Sequence, residues 1–370
     1  MPGLPIFIVG DYSISPAVPE QWSFTSLKGF EECPRRWALS RTEISCFGGT
    51  TPQKPVRSSV EGTLLHALIE RLARHTTKEG AEVFRPRRTL IELITEWAKT
   101  NFGNPRIDSR VLARQVRIEE ILRAFGEARL YVIQPVRRPT NRPTPTRAST
   151  AVLEGPEIWL RDPKSKLCGR ADLISTGEVV DFKSGDEQDD HTEQIAFYGA
   201  LHLELTGKCP SALRLIYTRT NVVREVPVPS MRELESLLGG MRGQATSTDR
   251  QVASGNFPAK PESTKCMYCH VRGLCDAYWK STEIPLNNSA ADQAPLIDYS
   301  PSASAKIEAA AFGIYIRDSW AGFPSVLHVP DQVLRTVDSP QRIRVLALRA
   351  NTSPEGSRFA LTQSSGIYVI

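Results

Sequence analysis

The sequence predicts an α/β protein: a mixed sheet flanked by helices, with a small β-rich domain at the C-terminal end. Three observations predict it. Helix-period apolar spacing in the first third of the chain gives way to three strand-like runs in close succession, 151–161, 166–175 and 178–183. A helix, two more strand-like runs and a second helix follow, which gives the sheet covering layers on its faces. From residue 309 onward only short strand-like runs recur, at 311–317, 325–329, 342–349 and 358–370.

The elements follow in order. Residues 58–80 set Leu64, Leu65, Leu68, Ile69 and Leu72 on one face and read as a helix. Residues 89–100 and 109–133 also read as amphipathic helices, the longer one with Asp108 as its N-cap. The stretch Arg137 to Arg147 holds three prolines and four arginines in eleven residues. It cannot be the interior of a regular element and reads as a basic loop that orders on an anionic partner. The short link Ser175-Thr176-Gly177-Glu178 makes the second and third strands a hairpin. A helix over 188–206 ends at Gly207, and strands over 212–219 and 222–228 end at Pro229. Residues 230–253 are helical again. Gly, Pro and Ser gather at 254–264 and a cysteine cluster occupies 266–275. The domain plan is thus 1–280, a polar linker over 281–308, and a β-rich domain over 309–370.

With 370 residues, 40% hydrophobic and 24% charged, the chain has the composition of a folded protein with a full core. No apolar run approaches the ~20 residues a membrane helix needs. The opening ten residues lack the basic region of a secretory signal, so a cytoplasmic protein is expected. Seven cysteines, odd in number and unevenly spread, do not describe a secreted disulfide framework. The net charge of +5 is uneven: residues 1–150 hold 23 Lys+Arg against 15 Asp+Glu, and the remainder 23 against 26. A basic N-terminal part suits an acidic polymer such as nucleic acid, and suits a solvated basic surface equally well.

The most informative stretch is Gly169-Arg170-Ala171-Asp172 followed by Val180-Asp181-Phe182-Lys183-Ser184-Gly185. Asp181 and Lys183 are two apart on a strand, so both side chains leave one face. Asp172 lies on the paired strand, where the two carboxylates converge near the open end of the hairpin. Two carboxylates plus water suit Mg²⁺ or Mn²⁺, hard ions that prefer oxygen. Such an ion activates water and offsets charge on a phosphoryl oxygen, and the neighbouring lysine can orient the water or hold the phosphate. An Asp-x-Lys triplet by itself is as well explained by a solvated surface hairpin. Here it sits in a half-buried apolar strand, where unpartnered charges are costly.

These residues resemble the active-site hairpin of the PD-(D/E)XK nuclease superfamily in its RecB-like branch. Gln194 and Tyr198, four apart on the next helix, match that branch's Gln-x-x-x-Tyr motif. Gly62-Thr63-Leu64-Leu65-His66 resembles its upstream Gly-x-x-x-His element. The resemblance spans roughly residues 20–280 and implies a restriction-endonuclease-like fold. It implies that His66, Asp172 and Asp181 hold the ion, that Lys183 positions the attacking water, and that Gln194 and Tyr198 shape the site. Relatives also carry a glutamate on the strand before the hairpin, a place that Glu154 and Glu157 both fit.

Cys266, Cys269 and Cys275 form C-x₂-C-x₅-C. Three thiolates at this spacing want a fourth ligand, and zinc or an iron–sulfur cluster accepts them. Cys33, before Pro34, completes a layout similar to that of AddB-type recombination nucleases and CRISPR adaptation nucleases. That resemblance implies a [4Fe–4S] cluster on Cys33, Cys266, Cys269 and Cys275. A structural zinc with Cys33 or His270 is the alternative. Cys46, Cys168 and Cys209 read as core thiols.

The expectation is a Mg²⁺- or Mn²⁺-dependent deoxyribonuclease, an exonuclease on single strands or DNA ends, in repair, recombination or defence. Arg35, Arg36 and the 137–147 loop are its candidate backbone contacts. No G-x-x-x-x-G-K-[ST] occurs, so any ATP-driven unwinding belongs to a separate helicase. The alternative is a non-catalytic module that binds nucleic acid or a helicase. The C-terminal strands are compatible with an oligonucleotide-binding barrel, with Phe312, Tyr315, Trp320, Phe323 and Phe359 as stacking or core residues.

Overall fold

The structure, a computed structural model, describes residues 6–9, 12–76, 84–133, 153–266, 268–280, 296–299, 301, 305–310, 313–320, 323–330, 343–353, 356–361 and 365–369. The basic stretch 137–147 lies outside the described residues. The chain forms two compact units. Residues 18–28 and 55–253 make one; residues 1–17, 29–54 and 254–370 make the other.

The first unit is an α/β layer structure, as the sequence predicts. Its sheet has five strands whose spatial order is their chain order: β1 (Gly155–Arg161), β2 (Cys168–Ser175), β3 (Glu178–Lys183), β4 (Ala212–Tyr217) and β5 (Val222–Val226). The β2–β3 turn works because Thr176 and Gly177 both take positive φ, +51° and +80°, which closes a two-residue hairpin on the Ser175–Glu178 pair. Only β3 and β4 run parallel. A parallel pair needs a crossover, and the helix Asp189–Thr206 supplies it, ending at Gly207.

Between residues 57 and 133 four helices precede the sheet: α1 (Arg57–Thr76), α2 (Pro86–Thr100), α3 (Ser109–Arg114) and α4 (Ile118–Ile133). The apolar face of α1 buries Val60, Leu64, Leu65, Leu68, Ile69 and Leu72 in one cluster with Val180 and Phe182 of β3 and Ile216 of β4. Each such side chain contributes about 1.5–3 kcal/mol when fully buried. Asp108 caps α3 as expected, accepting from the N–H groups of Arg110 and Val111. The single helix expected over 109–133 is broken. Buried Glu61 of α1 accepts from the Arg117 backbone N–H at 3.0 Å and from its guanidinium at 3.0 and 2.7 Å, so that N–H leaves the helical ladder. A last helix of this unit, Met231–Ala253, sends Arg242 to Asp162 in the β1–β2 turn, with two bonds of 2.7 Å.

In the second unit eight described strands form one sheet, ordered Ile6–Ile8, Gly366–Val369, Ile343–Ser353, Gly356–Ala360, Phe323–Pro330, Gly313–Trp320, Lys306–Ala310, with Leu296–Tyr299 also pairing Ile343–Ser353. The stretch read as a linker, 281–308, therefore contributes strands. Its polar composition concealed them because such strands need only one apolar face. Ile6–Ile8 lies parallel to Gly366–Val369. This mixed eight-stranded arrangement is not the five-stranded barrel considered from sequence. Phe359 is a core residue, 5% exposed, its ring 4.8 Å from that of Tyr299. Phe312 and the side chains of Tyr315, Trp320 and Phe323 lie outside what is described. No helix among the described residues is long and apolar enough to cross a membrane.

Candidate active site

The hairpin register brings the two expected carboxylates together. Leu173 pairs with Val180, Ile174 with Val179 and Ser175 with Glu178. One step further along this ladder, Asp172 faces Asp181. There the Asp172 side chain replaces a ladder bond, its Oδ2 accepting from the Phe182 backbone N–H at 2.6 Å. Asp181 is 4% exposed. His66 reaches in from α1, with Nδ1 3.6 Å from Asp172 Oδ2. Gly62 explains how α1 comes so close: a Cβ there would collide with the Ser184 side chain. His66 is one helical turn further on, so the glycine of Gly-x-x-x-His sets the approach that the histidine needs.

Crowding of these groups shapes their protonation. Burial and the Asp172 charge push the Asp181 carboxyl up to about 6, although Lys183 and His66 favour its charged form. Burial also disfavours ionised Asp172, but the His66 and Phe182 hydrogen bonds outweigh it and hold this carboxyl below the ordinary value. For His66 burial favours the neutral ring, yet Asp172 and Asp181 together raise its pKa. One carboxyl gives up its proton readily and its neighbour holds its own to higher pH, as two like charges in one dry site require.

Lys183 leaves β3 on the same face as Asp181. Its Nζ lies 2.6 Å from Asp181 Oδ2 and donates to Gln194 Oε1 at 2.6 Å. Gln194 in turn donates from Nε2 to the Tyr198 hydroxyl at 2.8 Å. The ring of Tyr198 has its place because position 169 is glycine: a Cβ there would lie 2.7 Å from the ring. The glycine of Gly-x-x-Asp is thus tied to the tyrosine of Gln-x-x-x-Tyr by a steric contact.

The structure chooses between the two candidate glutamates and adds neighbours that escaped the sequence reading. Glu157, rather than Glu154, faces the site, its side chain only 8% exposed and paired with Arg170 at 2.5 Å. Burial and the Asp172 charge push its carboxyl up to about 6. Its backbone takes φ +54°, an uncommon conformation for a glutamate. Glu70, four residues after His66 on α1, is near enough to act on Glu157. That spacing was the available signal for Glu70. His191 stands beyond Lys183, with Nδ1 3.2 Å from the Tyr217 hydroxyl. Burial and then Lys183 lower its pKa. It belongs to no motif, so nothing in the sequence pointed to it.

Cys33, Cys266, Cys269 and Cys275 line one small cavity of the second unit, together with Arg36 and Arg272. All four are free thiols. Cys33 caps the short helix Pro34–Leu39, its sulfur accepting from the Arg36 N–H at 3.4 Å. Cys266 accepts from the Glu262 N–H at 3.4 Å. Burial pushes the Cys269 thiol up to about 11, against the pull of Arg36, and raises that of Cys275, where Cys33 adds to the rise. Arg36, expected on the nucleic-acid backbone, is bound to Glu32 at 2.5 Å. Arg35 acts on Cys275, and its buried Nε has no hydrogen bond. Of the thiols read as core residues, Cys168 is buried, while Cys46 and Cys209 are half-buried.

Among the described residues no three His, Cys, Asp or Glu side chains are gathered as a ready metal cage. The carboxylate pair nevertheless fits a cation by one feature. Asp181 Oδ2 is sealed from solvent and receives no hydrogen bond. Its one close partner is the Lys183 ammonium, which pairs with it at 2.6 Å. A buried carboxylate oxygen in that state is an available ligand for a hard ion.

Compared with known proteins, a family model described as the PD-(D/E)XK nuclease superfamily matches residues 21–276. No curated protein matches the chain.

Proposed function

The chain belongs to the PD-(D/E)XK nuclease superfamily, and on that premise we propose that it is a Mg²⁺- or Mn²⁺-dependent deoxyribonuclease of the RecB-like branch, acting as an exonuclease on single strands or DNA ends. The observation that carries this reading is the buried Asp181 facing Asp172, with the Lys183 ammonium 2.6 Å from its Oδ2. Asp172 and Asp181, with His66 at their side, would hold the ion. When bound, it lowers the pKa of water and offsets charge on the phosphoryl oxygen.

The remaining work belongs to the chain. Lys183 presents its ammonium to the attacking water and to charge developing on the phosphate. Gln194 fixes that ammonium through Oε1, and Tyr198 fixes Gln194. His66, Asp172 and Asp181 act on one another's protonation, so a cation held by the two carboxylates would displace a proton from His66 or Asp181. Cys33, Cys266, Cys269 and Cys275 would hold a [4Fe–4S] cluster in this reading. Arg35 and Arg36 offset the negative charge of four thiolates, and zinc is the alternative occupant. Any unwinding is supplied by a separate helicase, in a repair, recombination or defence setting.

The test uses anaerobically purified protein with linear and circular single-stranded DNA in Mg²⁺ and Mn²⁺. The expected result is cleavage of the linear strand only, reduced by about 10³-fold or more in Lys183→Ala. Cleavage of both forms would make it an endonuclease, and cleavage of neither would favour a binding module.

A further inference from the structure

The sheet face that carries Asp172 continues away from it along the hairpin. Pairing of β1 with β2 sets Trp159 directly opposite Arg170, and Arg170 precedes Asp172 by two residues, on the same face. Two residues along a strand span roughly 6.6 Å. Trp159 is 51% exposed, where Trp22 is 0% and Trp37 3%. Among the described residues it is the exposed tryptophan, and β1 is the edge of its sheet. Two guanidinium groups flank its ring: Arg161 with Cζ 5.4 Å from the centroid, and Arg170 with Cζ 5.8 Å. Arg170 is itself anchored to Glu157, whose carboxyl responds to the Asp172 charge.

A half-exposed indole between two cations does not suit an apolar protein surface. It suits a planar π-system that carries phosphate. A base inside a duplex has both faces occupied by its neighbours, so only an unstacked base can use the platform. We propose that Trp159, with Arg161 and Arg170, is a stacking platform for an unpaired base of a single DNA strand, one step along the hairpin from the carboxylate pair. The choice of DNA as ligand rests on the nuclease reading above; the platform itself is a matter of binding.

The experiment measures binding without cleavage. A single-stranded oligodeoxynucleotide containing 2-aminopurine is titrated with the full-length protein in EDTA, following anisotropy and 2-aminopurine quenching, beside a blunt duplex. The expected result is quenching by wild type and by Trp159→Phe. Trp159→Ala loses the quench and binds the single strand about tenfold more weakly, with duplex binding unchanged. Equal binding and quenching by Trp159→Ala, an equal loss on the duplex, or no binding of the strand by wild type would overturn the platform. Cleavage plays no part in this readout. A protein that quenches but cuts nothing in Mg²⁺ or Mn²⁺ would therefore sustain the platform and overturn the nuclease reading.

Discussion

Two buried aspartates in the first unit show what separates a structural carboxylate from a chemical one. Asp162, in the β1–β2 turn, has a fully buried side chain with every need met: two bonds from Arg242 at 2.7 Å, one from the Lys164 N–H at 3.0 Å and one from the Ser165 hydroxyl. Burial disfavours its charge, but the Arg242, Ser165 and Lys164 bonds outweigh it and pull the carboxyl down to about 2. Asp181, at the end of β3, is as deeply buried and is pushed the other way, to about 6, by burial and Asp172. One oxygen of Asp181 has only the Lys183 ammonium for a partner, against the four bonds that Asp162 receives. The fold completes the first site and leaves the second incomplete, which is how a ligand-binding carboxylate differs from an anchoring one.

Exchanging each aspartate for its neutral isostere should separate the two roles most sharply. Asp181→Asn should abolish cleavage and remove any Mn²⁺-induced rise in melting temperature, which for wild type is worth about 2.7 kcal/mol at a hundred times the Kd. Without metal at pH 8 it should melt no lower than wild type. Asp162→Asn should do the reverse, losing roughly 2 kcal/mol of stability while specific activity below the melting range is kept. The pH dependence has opposite signs. Asp162 has its lower pKa in the folded state, so its contribution is present above 3.8 and disappears as the pH falls through about 2. Asp181 has its higher pKa in the folded state, so its contribution is present below 3.8 and disappears as the pH rises through about 6. Metal-free melting curves of the two variants against wild type from below about pH 2 up to pH 8 measure both. Equal effects from both substitutions would break the distinction.

The cysteine cavity extends the comparison to the second unit, because its four thiols are also an incomplete set. Left without a metal, Cys269 is a neutral thiol pushed to about 11. Closing a loop as long as that from Cys33 to Cys266 stabilises by on the order of 5 kcal/mol. Cys275→Ser is therefore expected to lose iron together with several kcal/mol of stability, followed by elemental analysis and denaturant unfolding. Zinc without iron in the wild-type protein would replace the cluster by a structural zinc. No metal, with unchanged unfolding in the variant, would make the cavity an ordinary apolar pocket.

The hairpin was legible in the sequence for a local reason. Asp172, Asp181 and Lys183 lie within twelve residues, and period-two alternation fixes which side chains share a face. Gln194 and Tyr198 were legible through their match to a family motif; helical spacing alone would have left them an ordinary helix face. Glu157 was only half legible, since its choice over Glu154 depends on a positive φ that no residue pattern announces. His191 and Arg170 were silent because their relations are tertiary, to Tyr217, Glu157 and Trp159. The break between α3 and α4 was hidden for the same reason: Glu61, more than fifty residues earlier, takes the Arg117 N–H that the periodic pattern assigns to a continuous helix. Strands within 281–308 were missed because composition outweighed alternation in a polar stretch.

The smallest effect reaches the site through a contact that carries no charge. Gly169→Ala adds a methyl 2.7 Å from the Tyr198 ring, which must move. Gln194 then loses its fixed hydroxyl, and the Lys183 ammonium loses the acceptor that aims it, while Asp172 and Asp181 keep their places. The expected result is a fall in kcat of about tenfold with KM little changed and the metal-induced melting shift retained. Because the methyl acts chiefly through the ring, with Leu201 Cδ1 next at 3.3 Å, Gly169→Ala combined with Tyr198→Ala should cost little more than Tyr198→Ala alone. Full additivity of the two would show that the glycine serves the strand backbone instead. The incomplete carboxylate would then depend on its neighbours across the hairpin and not on the helix that carries the Gln-x-x-x-Tyr pair.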